Sequence, residues 1–323
     1  MVDRRLKKIL VCGASGFMGR NIFEYFSSKG FEVHGVSFKN TNKSSDPRFQ
    51  TADLTSKSEV RNVFESHQFD IVIQAAANTS GSKDILERPY LHVTDNAVMN
   101  SLILQACYDY NVKHFLFLSC GVMYDPKKSP VKENDFSLDD GIFKDYFGVG
   151  WTKVYVEKMC EFFSRLGRTK HTVIRHSNTY GPYDKYDLEK SHMFGATVNK
   201  VMSSNDGDDI TVWGDGATER DLLYVSDVVD FIHKAIDLQS GQYDLYNVGY
   251  GKSISVKDIV KKIIFHSGKR INIKFDKSKP SINTKLSLNS EKALNDLSWS
   301  PKVSIDEGIK KTLNWYRMFY YRK

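Results

Sequence analysis

The chain has 323 residues, 41% of them hydrophobic, which is enough to bury a substantial core and to divide into two lobes. Its net charge of +7 is spread over lysines and arginines interleaved with acids, without an Arg-rich block, so a nucleic-acid binder is excluded and an ordinary solvated surface is expected. Four scattered cysteines (Cys12, Cys107, Cys120, Cys160) form no C-x-x-C pair and no apolar run reaches the ~18 residues needed to span a bilayer, so we expect no metal, no membrane partner and a reducing, cytoplasmic setting.

In chain order, the first half alternates strand and helix. Strand-length apolar segments lie at Ile9–Cys12, Glu32–Phe38, Ile71–Ala76, Phe115–Ser119 and Thr172–Arg175. Helical periodicity is expected over Met18–Ser28, Lys57–Ser66, Asp95–Tyr110 and Thr152–Leu166. Such alternation predicts a parallel sheet covered by helices on both faces. Beyond Asn178 the pattern loosens through Gly181-Pro182 and the polar stretch from Ser203 to Asp209, where a smaller lobe is expected to begin. Arg220–Leu238 again reads as strand plus helix, so the boundary between lobes is expected to be discontinuous. The tail from Trp315 to Lys323 reads as the end of an amphipathic helix.

At the first strand–helix junction stands Gly13-Ala14-Ser15-Gly16-Phe17-Met18-Gly19. Glycines at this spacing allow a tight turn and let backbone approach a pyrophosphate seated on the helix N-terminus. Gly13, Ser15, Gly16, Phe17, Met18 and Gly19 are therefore expected to bind a dinucleotide. At the end of the second strand an acid usually takes the ribose hydroxyl of NAD, and a basic neighbour the 2′-phosphate of NADP. Here Ser37 and Lys39 flank Phe38, with Arg20 just past the glycines, so NADP(H) is favoured and NAD(H) is the alternative. Asp53 and Leu54 are expected beside the adenine, and Ala75 and Ala76 where small residues let the cofactor lie on backbone.

The run from Tyr146 to Lys153 resembles the segment that carries Tyr-x-x-x-Lys in extended short-chain dehydrogenases, but with Val149 where the tyrosine belongs. Further matching pieces are Ser119 to Tyr124, Asn178 to Asp184, His192 and Thr211 to Arg220. Together they resemble the NAD-dependent epimerase/dehydratase family, and within it most closely the GDP-L-fucose synthase branch of GDP-4-keto-6-deoxymannose epimerase-reductases. The resemblance implies an α/β fold: a doubly wound parallel (Rossmann) sheet with a smaller, discontinuous C-terminal substrate-binding lobe. It places an NAD(P)-binding domain at residues 1–178 and 221–249 and a nucleotide-sugar-binding lobe at 179–220 and 250–323.

In that family a serine and a tyrosine move the proton at the sugar C4, while a cysteine and a histidine serve epimerisation. By the same resemblance Cys120 takes the serine position, Val149 the tyrosine and Val122 the cysteine, and Lys153 and His192 are kept. Loss of one acid–base group costs about 10²- to 10⁴-fold unless it is replaced. Lys153, Cys120 and Tyr146 are the candidate replacements, with Lys153 also holding the nicotinamide ribose and His192 able to act as acid or base. Arg220 is expected to clamp the substrate diphosphate, the alternative being an ion pair with Glu219 or Asp221. Trp213 is expected against the nucleotide and Asn178 at the cleft mouth. The expected activity is hydride transfer between NAD(P) and C4 of a nucleotide-diphosphate sugar, GDP-linked, as a C4 dehydrogenase, a ketoreductase or an epimerase, with a catalytically degraded binding protein as the alternative. The family's four-helix dimer bundle implies a homodimer through Asp95–Tyr110 and Thr152–Leu166.

Overall fold

The computed structural model describes residues 7–39, 46–79, 85, 87–126, 129–139, 141–188, 191–279 and 285–320. Seven strands, β1 (Lys8–Cys12), β2 (Glu32–Ser37), β3 (Phe49–Thr51), β4 (Ile71–Gln74), β5 (His114–Cys120), β6 (Lys170–His176) and β10 (Tyr243–Val248), form one sheet in the order β10-β6-β5-β4-β1-β2-β3. Every pair in it is parallel. Strands buried on both faces read as continuous apolar runs, and β1, β4 and most of β5 do. The expected doubly wound α/β fold is therefore what the chain adopts.

Helices α1 (Phe17–Ser28) and α6 (Val225–Leu238) pack on one face around Ile22, Phe26, Val228, Phe231 and Trp299. The other face is covered by α2 (Lys57–Ser66), α3 (Thr94–Asp109) and α4 (Phe147–Arg165), burying Val63, Ile103, Leu104 and Cys160. A third core lies apart from the large sheet. It gathers α5 (Met193–Ser203), α7 (Val256–Ser267) and α9 (Ile305–Phe319) with β8 (Asp209–Trp213) and β9 (Glu219–Tyr224), around Tyr180, Phe194, Ile259, Ile263 and Leu313. Here β9 lies between β7 (Asn178–Tyr180) and β11 (Ser253–Ser255), and β8 pairs with β12 (Asn272–Asp276). A short helix, α8 (Glu291–Leu297), packs Ala293 and Leu297 against the large sheet's core.

Two expectations shift. Helix α4 begins at Phe147, five residues before the expected Thr152. Gly148 and Gly150 weaken helix propensity, yet both sit in close packing: a methyl at Gly148 would press on the side chain of Val93 at 3.0 Å and one at Gly150 on that of Ile142 at 2.8 Å. The strand expected to run to Ala76 stops at Gln74, because the side-chain oxygen of Gln74 takes the amide of Ala76 and turns the chain.

His171, fully buried in β6, leaves both ring nitrogens without a hydrogen-bond partner among the described residues. Burial pulls its pKa down from 6.5 to about 4. As pH falls the unfolded chain takes the proton first, so stability is complete above about pH 6.5 and is lost between there and about pH 4. The penalty is on the order of 3 kcal/mol. Denaturant titrations at pH 7 and pH 4.5 should therefore show a smaller acid loss in His171→Leu than in the wild type, and equal losses would contradict this assignment.

Candidate active site

The glycines of the β1–α1 junction are fixed by contact distances. Gly13 has φ +76°, and a Cβ there would lie 2.6 Å from the backbone of Ala76. At Gly19 a Cβ would lie 2.1 Å from the carbonyl oxygen of Gly13, so helix and strand could not pack. Gly16 is exposed, and the helix it opens has neither a side-chain cap nor an acid in its first turn. Unsatisfied N–H groups and the positive end of the helix dipole thus face open space, which suits a pyrophosphate. Ser15 is exposed beside them, Phe17 and Met18 are half-buried, and Ala75 and Ala76 form the half-buried wall opposite.

At the tip of β2, Ser37 is buried and donates to the carbonyl of Lys39, while Phe38 and Lys39 are exposed. Arg20 points elsewhere: its guanidinium lies 3.8 Å from the centre of the Tyr183 ring and its Nε donates to Glu24 at 3.1 Å. Asp53 organises its own turn, accepting from the amide and hydroxyl of Thr55, which hold its carboxyl below its ordinary pKa. Leu54 is buried behind it.

The candidate residues Cys120 and Lys153 come together where β5 meets α4. Cys120 ends β5, half-buried. Burial raises its thiol pKa and Lys153 partly offsets that, so the neutral thiol prevails near pH 7. Lys153, one turn beyond Val149, donates from Nζ to the carbonyl of Leu118 at 2.8 Å and lies 4.7 Å from the Phe117 ring centre. Burial pulls its pKa down, against the opposing pull of Cys120 and Glu157. A cavity of about 10 Å³ touches Val149, Gly148, Asp145 and His92, room for about one water. No side chain capable of proton transfer occupies position 149.

Beneath this surface lies a buried charged network that sequence reading did not find. Glu157 pairs with Arg175 at 2.6 Å, both nearly inaccessible. Ser119 donates to Glu157 at 2.5 Å, Arg175 reaches Tyr124 at 2.7 Å, and Tyr124 donates to Asn247 at 2.7 Å. Burial works against the charge of Arg175, but Glu157 and Tyr124 together outweigh it and raise the guanidinium pKa. The only sequence signal was Arg175 at the end of an apolar strand. His176, also missed, ends β6 beside Cys120 in the register.

His192 is exposed just before α5. The surrounding protein, together with Lys185, His92 and Arg220, pushes its pKa down, leaving a neutral ring at pH 7; its access to solvent limits the desolvation part. Arg220, half-buried on β9, donates to the backbone carbonyl of Glu219 at 2.8 Å, and burial lowers its pKa against the influence of Tyr146. The ion pair considered with Asp221 is absent: that carboxylate is fully buried and accepts from the amides of Tyr250, Gly251 and Leu288. Tyr146 lies within electrostatic reach of Arg220. Trp213 is partly exposed at the end of β8, and Asn178 is exposed at the start of β7, its side chain donating to the carbonyl of Asp221. Among the described residues no group of three His, Cys, Asp or Glu is placed to hold a metal, and no helix is long and apolar enough to cross a membrane.

Comparison with known proteins agrees with this architecture. GDP-L-colitose synthase of Yersinia pseudotuberculosis is 28% identical over 96% of this chain and 97% of its own length. GDP-L-fucose synthase of Azorhizobium caulinodans is 26% identical, covering 96% of each chain. Among solved structures, UDP-glucose 4-epimerase of Thermotoga maritima, crystallised with UDP-glucose, superposes with a TM-score of 0.81 at 25% identity, over 96% of this chain and 99% of that one. Residues 9–249 match the NAD dependent epimerase/dehydratase family. Its glycine cradle, parallel sheet and this match over most of its length establish that the chain is an enzyme of that family, an extended short-chain dehydrogenase/reductase.

Proposed function

We propose that the protein transfers hydride between NADP(H) and C4 of a GDP-linked sugar, as a C4 dehydrogenase or ketoreductase. What supports this reading is the uncapped glycine turn at Gly13–Gly19 on the same sheet edge as Lys153 and Cys120, together with the family match over residues 9–249. When bound, the nicotinamide supplies or takes the hydride. Gly16, Ser15, Phe17, Met18, Ala75, Ala76, Asp53 and Leu54 hold the dinucleotide, and Lys153 fixes its ribose. His192 and Cys120 face the sugar, Arg220 meets the diphosphate, and Asn178 and Trp213 border the nucleotide. On this reading the large-sheet part is the cofactor domain and the third core the sugar-nucleotide lobe, in a cytoplasmic enzyme. The coverage of both GDP-sugar synthases over nearly the whole chain supports the GDP-linked class.

The reaction is tested with GDP-L-fucose and GDP-4-keto-6-deoxymannose by following nicotinamide absorbance. Turnover is expected, and Lys153→Ala should lower kcat by about 10²- to 10⁴-fold. Retained cofactor and nucleotide binding without turnover of either sugar would instead favour the degraded binding protein that Val149 and Val122 suggest. In that case Val149→Tyr should restore about 100-fold, whereas no gain on an active wild type marks rewired chemistry.

For cofactor choice, Arg20 is engaged by Tyr183 and Glu24, which leaves exposed Lys39 to meet a 2′-phosphate. Lys39→Glu should weaken NADP(H) binding about tenfold and leave NAD(H) unchanged, as measured by fluorescence titration. Equal effects on both dinucleotides would contradict the NADP assignment.

The outward faces of α3 and α4 carry Val98, Tyr155, Phe162 and Leu166, each at least 40% exposed. We propose that they pair across a two-fold axis into a homodimer. Sedimentation should give particles of twice the 37.0 kDa chain mass, and monomers alone would refute the pairing.

A further inference from the structure

Val149 leaves the proton-handling position of α4 without a titratable group, and the neighbouring strand supplies one. His176 is the last residue of β6, and the β5–β6 register sets it beside Cys120. It stands at the carboxyl edge of the large sheet, where ligands bind in open α/β folds. His114 and His171 sit at the opposite ends of these same strands, buried in packing. Position along the strand therefore separates His176 from the two structural histidines.

The ring of His176 has a defined tautomer. Nδ1 lies 2.8 Å from the carbonyl oxygen of Ser177, with the hydroxyl of Thr179 at 3.2 Å. A carbonyl oxygen can only accept, so Nδ1 carries the hydrogen and Nε2 keeps its lone pair. No described residue hydrogen-bonds Nε2, and the ring is half-buried rather than sealed. The strand end is anchored by the amide of Ser177 donating to Val248 on β10. The charged or titratable groups around the ring are Cys120 on β5, Lys153 on α4 and His192 ahead of α5; the β10 neighbour, Val248, brings none.

We propose that Nε2 of His176 carries the C4 proton in place of the absent phenol, an assignment that rests on the hydride-transfer reading above. In the oxidising direction the C4 O–H bond breaks and its proton passes to Nε2, while the C4 hydrogen leaves as hydride to the oxidised nicotinamide. The imidazolium then releases its proton to water, and reduction runs both transfers backwards. Burial, reinforced by Lys153 and His192 and opposed by the Ser177 contact, holds the His176 pKa down at about 4. At neutral pH the ring is thus in the deprotonated form that oxidation requires, and the oxidation rate should fall as pH drops toward that value.

The decisive variant is His176→Asn, which keeps an amide N–H near the Nδ1 position and has nothing in place of Nε2. We expect kcat for GDP-L-fucose oxidation to fall about 10²- to 10³-fold and the acid limb of its pH profile to disappear, with NADP⁺ binding unchanged within about twofold. Adding Val149→Tyr to His176→Asn should recover most of the lost rate. Activity within about threefold of wild type, or a loss matched by lost NADP⁺ binding, would overturn the assignment. A second readout needs no turnover: ¹⁵N-histidine spectra should show an unprotonated Nε2 at His176 whose signal moves when NADP⁺ and GDP-L-fucose are added together. A protonated Nε2, or one indifferent to both ligands, overturns the histidine assignment alone. A wild type inert toward all nucleotide sugars would remove the reaction proposed above and with it the proton transfer at His176, even where Nε2 responds to ligand.

Discussion

The ion pair of Glu157 and Arg175 ties together the carboxyl ends of the central strands and helix α4. It joins α4 to β6, takes Ser119 of β5 through the same carboxylate, and reaches β10 through Tyr124 and Asn247. Burying both charges costs several kcal/mol each, and such a pair adds little net stability over well-packed apolar residues. Removing one partner is another matter, costing about 3–5 kcal/mol because the other charge is stranded. The pair therefore acts chiefly as a geometric lock. Lys153 is one helical turn before Glu157 and on the same face, so the lock that fixes Glu157 also fixes where the ammonium meets the carbonyl of Leu118.

The glycine turn and the surroundings of Lys153 are specified by different means. At the β1–α1 junction the shape is set by missing atoms, since a single methyl at Gly13 or Gly19 would strike backbone. Around Lys153 it is set by charged and polar side chains from β5, β6 and α4, with burial displacing the pKa values of Cys120 and Lys153. Backbone cradles tolerate change around them because they depend on few residue identities. Side-chain constellations do not, and Val149 lies in the second kind of region.

Much of the large sheet was legible because its strands are buried on both faces and so announce themselves as apolar runs. Helix α2 was legible to the residue: Ser56 caps it by accepting from Glu59. The edge strand β10 was not, since Asp244 and Asn247 interrupt its apolar pattern; Asp244 pairs with Lys292, and Asn247 completes the polar network. The pairing in the small sheets escaped for a related reason, as β9 finds its partners 44 residues back and 32 to 36 ahead, pairings that no local period encodes. Among the candidate site residues, the glycines could be named from spacing and Lys153 from its family resemblance. Glu157, Arg175 and His176 required the β5–β6 register, which a lone sequence does not contain.

Asn21 donates to the carbonyl of Pro182, and Arg20 rests on Tyr183, whose ring in turn meets Trp315 of α9 edge-on at 4.9 Å. Three stretches separated by more than a hundred residues each are thereby braced against one another, from the first helix of the chain to its last. Shortening the carboxyl end before Trp315 would remove a strut from beneath Tyr183, so damage late in the chain would be felt at its first helix.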